Sequence, residues 1–476
     1  MSEYRATNER FNLVGSDHVD HQWQIQAIPV SLTAVWNVPS MELPLPMDTS
    51  IQNVISASRN VMAILVGLSC LTQAEDWNRF RGPNGQGHVP DTGYAVTWSK
   101  TENVKWRVPL PGPGNSSPIV ASGKVFLTQA TDEGKQRSLH CFDRETGNEL
   151  WVRTVEFDKV EETHKTNPYC SASPACDGER VVVWHGSAGT YCYDLEGNQQ
   201  WSRDLGTFRH IWGEASSPVI HGDTVYQICA PGERTFVIAL DKKSGETRWE
   251  SPIEPGGSAS DKGKYVGTWA TPMFIQVDGQ EQLLCALHTR VVAYNPASGK
   301  ELWSTKGISS SRGDLVYTSP VVTETDAVVF GGYGGPAFSF RLGGSGDVTE
   351  ANRNWENTKE WNPQRIGSGV IVDGKVYMAN ADDGGSIECL DVKTGEQSWI
   401  VRRTRDGAHW GSVVHAEGRL YVTGQAGVTH VFAANPAKHE VLAENALGED
   451  SNSTPAFSNG EIFLRTFQAL YCIKKP

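Results

Sequence analysis

Apolar residues along this chain fall in short runs broken by polar, glycine-bearing turns, and five such places fit one template. They are CFDRETGNELW (141–151), CYDLEGNQQW (192–201), ALDKKSGETRW (239–249), AYNPASGKELW (293–303) and CLDVKTGEQSW (389–399). Each reads as a small residue, any residue, Asp or Asn, a short polar turn with Gly, and then Trp. The turn joins two apolar runs, which predicts a β-hairpin with a tryptophan early in its second strand. Self-similarity spaced by about 50 residues predicts a repeat architecture.

The unit extends upstream of each hairpin. Runs that begin near Ser/Thr-Pro and end near a Gly are SSPIVASGKVFLT (116–128), SASPACDGERVVVW (171–184), SSPVIHGDTVYQI (216–228), ATPMFIQVDGQEQLLC (270–285) and TSPVVTETDAVVFGG (318–332). Weaker versions follow at 367–379, 411–424 and 453–466. Each unit therefore holds four strands, A to D, filled with the Val, Ile, Phe, Tyr and Leu that half-buried pleated surfaces prefer. Trp151, Trp201, Trp249, Trp303, Trp355 and Trp399 mark the D strands, and HEVLAENAL (439–447) holds that position without one. The eighth unit ends after its C strand, FQALYCIKKP (467–476). Its missing D strand is predicted at the other end of the repeats, in NVKWRVPL (103–110) with Trp106. Pairing first and last segments closes a ring and removes the open edges of the array. About 47 residues per unit suits a propeller blade, so the expected fold is all-β: an eight-bladed β-propeller of four-stranded antiparallel blades over 103–476.

The pattern Ala/Cys-x-Asp-x-x-Thr/Ser-Gly-x-x-x-Trp resembles the tryptophan-docking motif of PQQ-type propeller repeats. That family includes quinoprotein alcohol dehydrogenases and the propeller lipoprotein of the bacterial outer-membrane assembly machinery. The resemblance implies that each Trp packs against the neighbouring blade near its Gly. A large indole supplies apolar area at such a seam while its N–H needs a partner.

Residues 59–74, RNVMAILVGLSCLTQA, read as a secretory signal, with Arg59, an apolar run from Val61 to Leu71 and a small-residue cleavage site ending at Ala74. The run is shorter than the ~20 residues a bilayer span needs. Residues 1–58 carry no clear pattern and read as a start assigned too early, with Met47 as the candidate start, or as a disordered extension. The stretch before Cys70 lacks the usual lipoprotein signal, so a soluble exported protein of the periplasm or envelope is expected. Residues 75–102, with DWNRFRGPNGQGHVPDTG at 76–93, read as an extended lead-in that packs on the propeller; a ligand-contacting arm is the alternative.

A net charge of −13 argues against nucleic acid and anionic membrane surfaces as partners. Cys141, Cys192, Cys389 and Cys472 fill the small-residue slot held elsewhere by Ala239 and Ala293, and read as buried free thiols. The state of Cys170, Cys176, Cys229 and Cys285 stays open, and no haem or zinc spacing of Cys and His is present.

In a propeller the A strands line the central channel and the D-to-A loops ring one mouth. Superposed on Ser/Thr-Pro, those loops carry Asn115, Tyr169, Trp212 with Glu214, Trp269, Tyr317, Arg365, His409 with Trp410, and Asp450 with Asn452. The candidates for contact with a ligand are Trp212, Glu214, Trp269, Tyr317, Arg365, His409 and Trp410, an apolar cleft with a few aimed polar groups. The competing reading is that the tryptophans plug the channel and the polar groups satisfy loop backbone. No nucleophile motif is present, so neither a catalytic residue nor a metal ligand is assigned, and His409 with Glu214 form an acid–base pair only if folding joins them.

The expected role is a non-catalytic binding or scaffold module: a monomer holding a protein, glycan or small ligand at a propeller face. The alternative implied by the resemblance is a PQQ- and calcium-dependent dehydrogenase. In it Trp212 or Trp269 would stack on the quinone, with Glu214 and Asn115 or Asn452 on the calcium. Against it, no two cysteines are adjacent, whereas those enzymes carry a vicinal pair, and the blades look minimal. A second alternative is an extracytoplasmic ligand-sensing subunit.

Overall fold

The structure, a computed structural model, describes residues 76–476 apart from 160, 360, 361, 383 and 405. The predicted signal at 59–74, the segment 1–58 and Cys70 lie outside the described residues.

Eight antiparallel sheets follow one another along the chain as the blades of a propeller. Blade 1 is built from Ile119–Ala121, Lys124–Thr131, Gln136–Asp143 and Glu149–Glu156, its strands A to D. Blades 2 to 7 occupy 175–203, 219–253, 273–306, 321–357, 370–402 and 414–446. Blade 8 takes three strands from 456–474 and its fourth from Val104–Pro109, which pairs antiparallel with Ala469–Lys474. The ring thus closes as the sequence predicts. Blade 4 gains a fifth strand, Gly346–Asp347, and blade 7 gains His88–Val89, so two blades exceed the four-strand unit.

In every blade the C–D pairing slips by one residue at the start of the D strand. Such a bulge turns the local strand and re-aims its side chain. Just past the slip the tryptophan faces a small residue across the ladder: Cys141 opposite Trp151, Ala239 opposite Trp249, Cys472 opposite Trp106. The small slot therefore leaves room for an indole on the same face. The indole N–H groups of Trp106, Trp151, Trp201, Trp249, Trp355 and Trp399 donate to the carbonyls of Arg144, Leu195, Lys242, Pro296, Val392 and Asn435 in the next blade, at 2.7–3.0 Å. A methyl group at Gly245 or Gly299 would lie 2.7 or 2.5 Å from the indole above it, which is why the turn carries glycine. Trp303 departs from this pattern. Blade 5 replaces the turn with an insertion holding the short helix Thr349–Asn352, and Trp303 donates instead to Gln282 Oε1 at 2.8 Å.

A second device closes the ring on the inside. The Ser or Thr that opens each A strand accepts, through its hydroxyl oxygen, the backbone N–H of the equivalent residue in the preceding blade. The donors and acceptors run Ser117 to Ser173, Ser217, Thr271, Ser319, Ser368, Ser412, Thr454 and back to Ser117, at 2.8–3.1 Å. This circle of eight bonds satisfies buried amides that the sheets leave unpaired at the channel.

The lead-in crosses the inner ends of the A strands. Trp77 and Asn78 carbonyls accept from Val120 and Cys176, the Gln86 side chain accepts from Val322, and Gly87 accepts from His415. The guanidinium of the buried Arg81 donates to the Gly369 carbonyl. Trp77, Tyr94 and Trp98 then pack into the core shared by blades 7, 8 and 1. All eight described cysteines are buried free thiols, which resolves the open state of Cys170, Cys176, Cys229 and Cys285. Among the described residues no helix is long and apolar enough to cross a membrane.

Candidate functional site

The A strands converge on the hydroxyl circle, and the loops between D and A strands rise above it to enclose a cavity of about 410 Å³. Seven of the eight circle residues line it, all but Ser319. Phe80 of the lead-in also lines it, so the segment packed against the A strands forms its floor.

Two walls differ in chemistry. One is aromatic, with Trp212 from the connection of blades 2 and 3, Tyr265 and Trp269 from that of blades 3 and 4, and Tyr317 from that of blades 4 and 5. Tyr333, from the B–C turn of blade 5, completes it. The two middle connections are stiffened by a parallel pairing of Tyr265–Thr268 with Gly313–Val316. Trp212 lies at the centre, its ring centroid 4.5 Å from Tyr265, 6.0 Å from Trp269, 6.1 Å from Tyr317 and 5.9 Å from Tyr333. The Trp269 N–H donates to the Gly213 carbonyl at 2.8 Å, which fixes the two loops to each other. Tyr333 is held at φ 54°, a left-handed conformation that costs a bulky residue about 1–3 kcal/mol and collects at binding and switching sites.

The opposite wall is an arc of amides. The Gln425 side chain donates to Asn452 Oδ1 (3.0 Å), Asn452 to Asn115 Oδ1 (3.1 Å), Asn115 to Asn167 Oδ1 (3.2 Å), and Asn167 to the Trp212 carbonyl (2.6 Å). The arc joins four loops into one rigid rim and ends on the aromatic wall. Trp410, Gln364 and Ile366 fill the remaining side.

Of the residues singled out in the sequence, the structure brings Trp212, Trp269, Tyr317 and Trp410 together on this cavity, with Asn115 and Asn452. Glu214, Arg365 and His409 do not line it. Glu214 is buried beneath the loop, 3.7 Å from Arg137, whose other partner is Glu161 at 2.5 Å. Burial pushes the Glu214 carboxyl up to about 7; Arg137 opposes the rise and Glu161 adds to it. Arg365 is paired with buried Glu388 at 2.8 Å. His409 bonds Thr404 Oγ1 at 2.9 Å and lies 3.5 Å from Asp406; burial pushes it down to about 4. Glu214 and His409 each have their own buried partners and do not form the acid–base pair. A residue that can ionise prefers water unless paired, so these loops turn their charges inward and leave amides and rings to the cavity. Tyr169 is turned to the Glu161 carbonyl, and Asp450 lies on a separate surface groove with Arg107 and Phe467.

Phe80, Tyr265, Asn167 and Tyr333 were not among the sequence candidates. Tyr333 stands in the glycine-rich turn GGYGGP (331–336), the one local signal available. The others stand in the lead-in or in loop stretches that the repeat template does not align.

Comparison with known proteins follows the fold. The family described as outer membrane protein assembly factor BamB matches residues 88–152, 132–329, 275–401 and 383–472. The outer membrane protein assembly factor BamB of Burkholderia pseudomallei is 35% identical over 99 residues, 21% of this chain, and the match spans only 24% of that relative's length. Among solved structures, BamB of Moraxella catarrhalis superposes with a TM-score of 0.55 at 14% identity, covering 78% of this chain and 97% of that one. The quinohemoprotein alcohol dehydrogenase of Comamonas testosteroni gives 0.59 at 13%, covering 84% and 81%. At such identities the structural likeness is one of fold.

Proposed function

The chain belongs to the family of outer membrane protein assembly factor BamB, and from that premise we propose that it is a non-catalytic binding and scaffold module of the cell envelope. One observation carries the reading: among the described residues no carboxylate, amine or guanidinium lines the mouth cavity, its one imidazole, His164, sits exposed at the rim against Thr166 Oγ1 at 2.7 Å, and the acids and bases singled out in the sequence are buried behind it. General acid–base chemistry needs a titratable group oriented within hydrogen-bond reach of the substrate, and the His164 ring is bonded to a hydroxyl rather than to a carboxylate that would orient it as a base. A rigid ring with dissimilar loops instead suits recognition, because the scaffold fixes the loop ends while their sequences vary. Family membership supports a protein partner at a propeller face, and the tryptophan-docked seams supply the rigidity that such a platform needs.

The dehydrogenase alternative requires a quinone bearing several carboxylates and a calcium ion. Calcium takes six to eight oxygen ligands with carboxylates among them. Among the described residues the cavity lining offers no carboxylate for the ion and no lysine or arginine for the quinone, with only the rim imidazole of His164 able to take a positive charge. Glu214, the proposed ligand, faces Arg137, and among the described residues no cluster of three metal-ligating side chains exists. The donor set does not fit the pair, and we derive no step through it. The test titrates the purified chain with PQQ, with and without calcium, following tryptophan fluorescence and dye-linked alcohol oxidation. No saturable calcium-dependent quenching and no turnover are expected; turnover lost in Trp212→Ala would overturn the non-catalytic reading. Export is proposed from residues 59–74, and mass spectrometry of the envelope fraction should find a chain beginning at Glu75. Recovery of the unprocessed chain from the cytosol alone would refute it.

A further inference from the structure

The hydroxyls of the inner circle are each half used. Each oxygen accepts one amide N–H, leaving its own O–H as donor and a second lone pair, and seven such groups line the cavity. A sugar hydroxyl presents the same two functions. Above them, the half-buried faces of Trp212, Tyr265, Tyr317 and Tyr333 form a continuous aromatic surface, suited to the apolar C–H face of a pyranose. The phenol oxygens of Tyr265, Tyr317 and Tyr333 make no hydrogen bond to other described residues and remain as polar tips around that surface.

Resting on the binding role proposed above, we infer that the cavity receives the terminal ring of an uncharged glycan. Charge decides against anionic ligands. A phosphate or uronate would enter a lining in which the described residues offer no lysine or arginine and only the exposed rim imidazole of His164, in a chain of net charge −13. The size agrees, since about 410 Å³ falls within the ~300–1,000 Å³ of small-ligand sites. With the lead-in at Phe80 on its floor, the cavity takes a glycan end-on from the loop side, with the reducing side left at the mouth. The site is also preorganised. The amide arc and the Trp269 bond to Gly213 hold the walls before any ligand arrives, which lowers the ordering cost of binding. Tyr333 is fixed against the wall despite its unfavourable backbone.

The experiment is calorimetry on the full chain with neutral trisaccharides of glucose, mannose, galactose and N-acetylglucosamine. Trigalacturonate and a Phe- and Tyr-containing peptide serve as comparisons. At least one neutral sugar should bind saturably, with its C–H protons receiving saturation transfer from the aromatic wall. Trp212→Ala should weaken binding at least tenfold. Tyr333→Phe, which keeps the stacking face, should weaken it about threefold, and Trp355→Phe, at a remote seam, should leave it unchanged. Absence of any Trp212-dependent sugar binding up to about 10 mM, or tighter binding of the acidic sugar or the peptide, overturns the inference. Those outcomes leave the non-catalytic reading intact, which falls only to PQQ-dependent turnover.

Discussion

Removing the Trp249 indole tests whether the seams hold the ring together. Trp249 is 9% exposed, packs between Tyr226 and Tyr294 at centroid distances of 6.0 and 6.3 Å, and donates to the Pro296 carbonyl at 2.7 Å. Trp249→Ala empties a cavity between blades 3 and 4 and should cost about 3–5 kcal/mol, as buried aromatics do. Trp249→Phe keeps most of the packing and loses the hydrogen bond, at about 1–2 kcal/mol. Gly299→Ala attacks the same seam from the other side. Its φ of +68° disfavours a side chain by about 1–2 kcal/mol, and the added methyl would lie 2.5 Å from the indole Cε3. Urea unfolding followed by far-UV circular dichroism reads all three, with the denaturant slope held constant. The ordering Ala worst, Phe mild and Gly299→Ala between them is the expected result. A loss below about 0.5 kcal/mol for Trp249→Ala would refute the structural role of the indole.

Other perturbations probe closure, the inner circle and the buried charge. Deleting 103–110 removes the strand that pairs with Ala469–Lys474 and exposes an edge, so size-exclusion chromatography should find aggregates; an unaffected monomer would refute ring closure. Ser217→Ala leaves the buried Ser173 N–H without its acceptor and should cost about 1–3 kcal/mol in urea unfolding, whereas Ser217→Thr should be nearly neutral; equal losses would refute the hydroxyl's role. Glu214, raised to about 7 by burial, holds its proton more tightly when folded than an ordinary carboxyl near ~4.3. Its contribution is full below that range and is lost as pH rises toward 7, so the parent should lose stability between pH 5 and 8 and Glu214→Gln should lose less. Parallel urea midpoints at the two pH values check this, and equal losses would sink it.

The sequence disclosed the propeller because a blade must solve the same packing problem eight times. The indole, the opposing small residue and the turn glycine recur at fixed spacing, and their geometry follows from that recurrence. The Ser/Thr before each A strand recurs just as faithfully, and it marked the strand starts correctly. Its bond to the neighbouring blade stayed hidden because a short hydroxyl residue beside proline also fits a simple turn. Loop residues obey no such recurrence. Arg365 and His409 occupied the right loops but turned inward, because a buried polar group needs a partner: Arg365 pairs with the Glu388 carboxylate, and His409, pushed down by burial, bonds the Thr404 hydroxyl. Tyr265 and Tyr333 reached the cavity through an extra parallel ribbon and a glycine-rich turn, features outside the repeat.

The split between repeated and unrepeated residues also divides labour in the molecule. Everything that recurs by blade is used up in making the ring: indole N–H groups on carbonyls, circle amides on hydroxyl oxygens. What the recurrence leaves over is one O–H per blade at the channel, eight equivalent donors with no direction of their own. Direction comes from the loops, which place rings on one side and amides on the other. A symmetric ligand would gain nothing from that asymmetry, whereas a pyranose, with an apolar face and a polar perimeter, uses both walls at once. The same reasoning says where specificity should change without loss of fold. Replacing Trp212 or Tyr333 alters what enters the mouth, because neither takes part in a seam or in the circle.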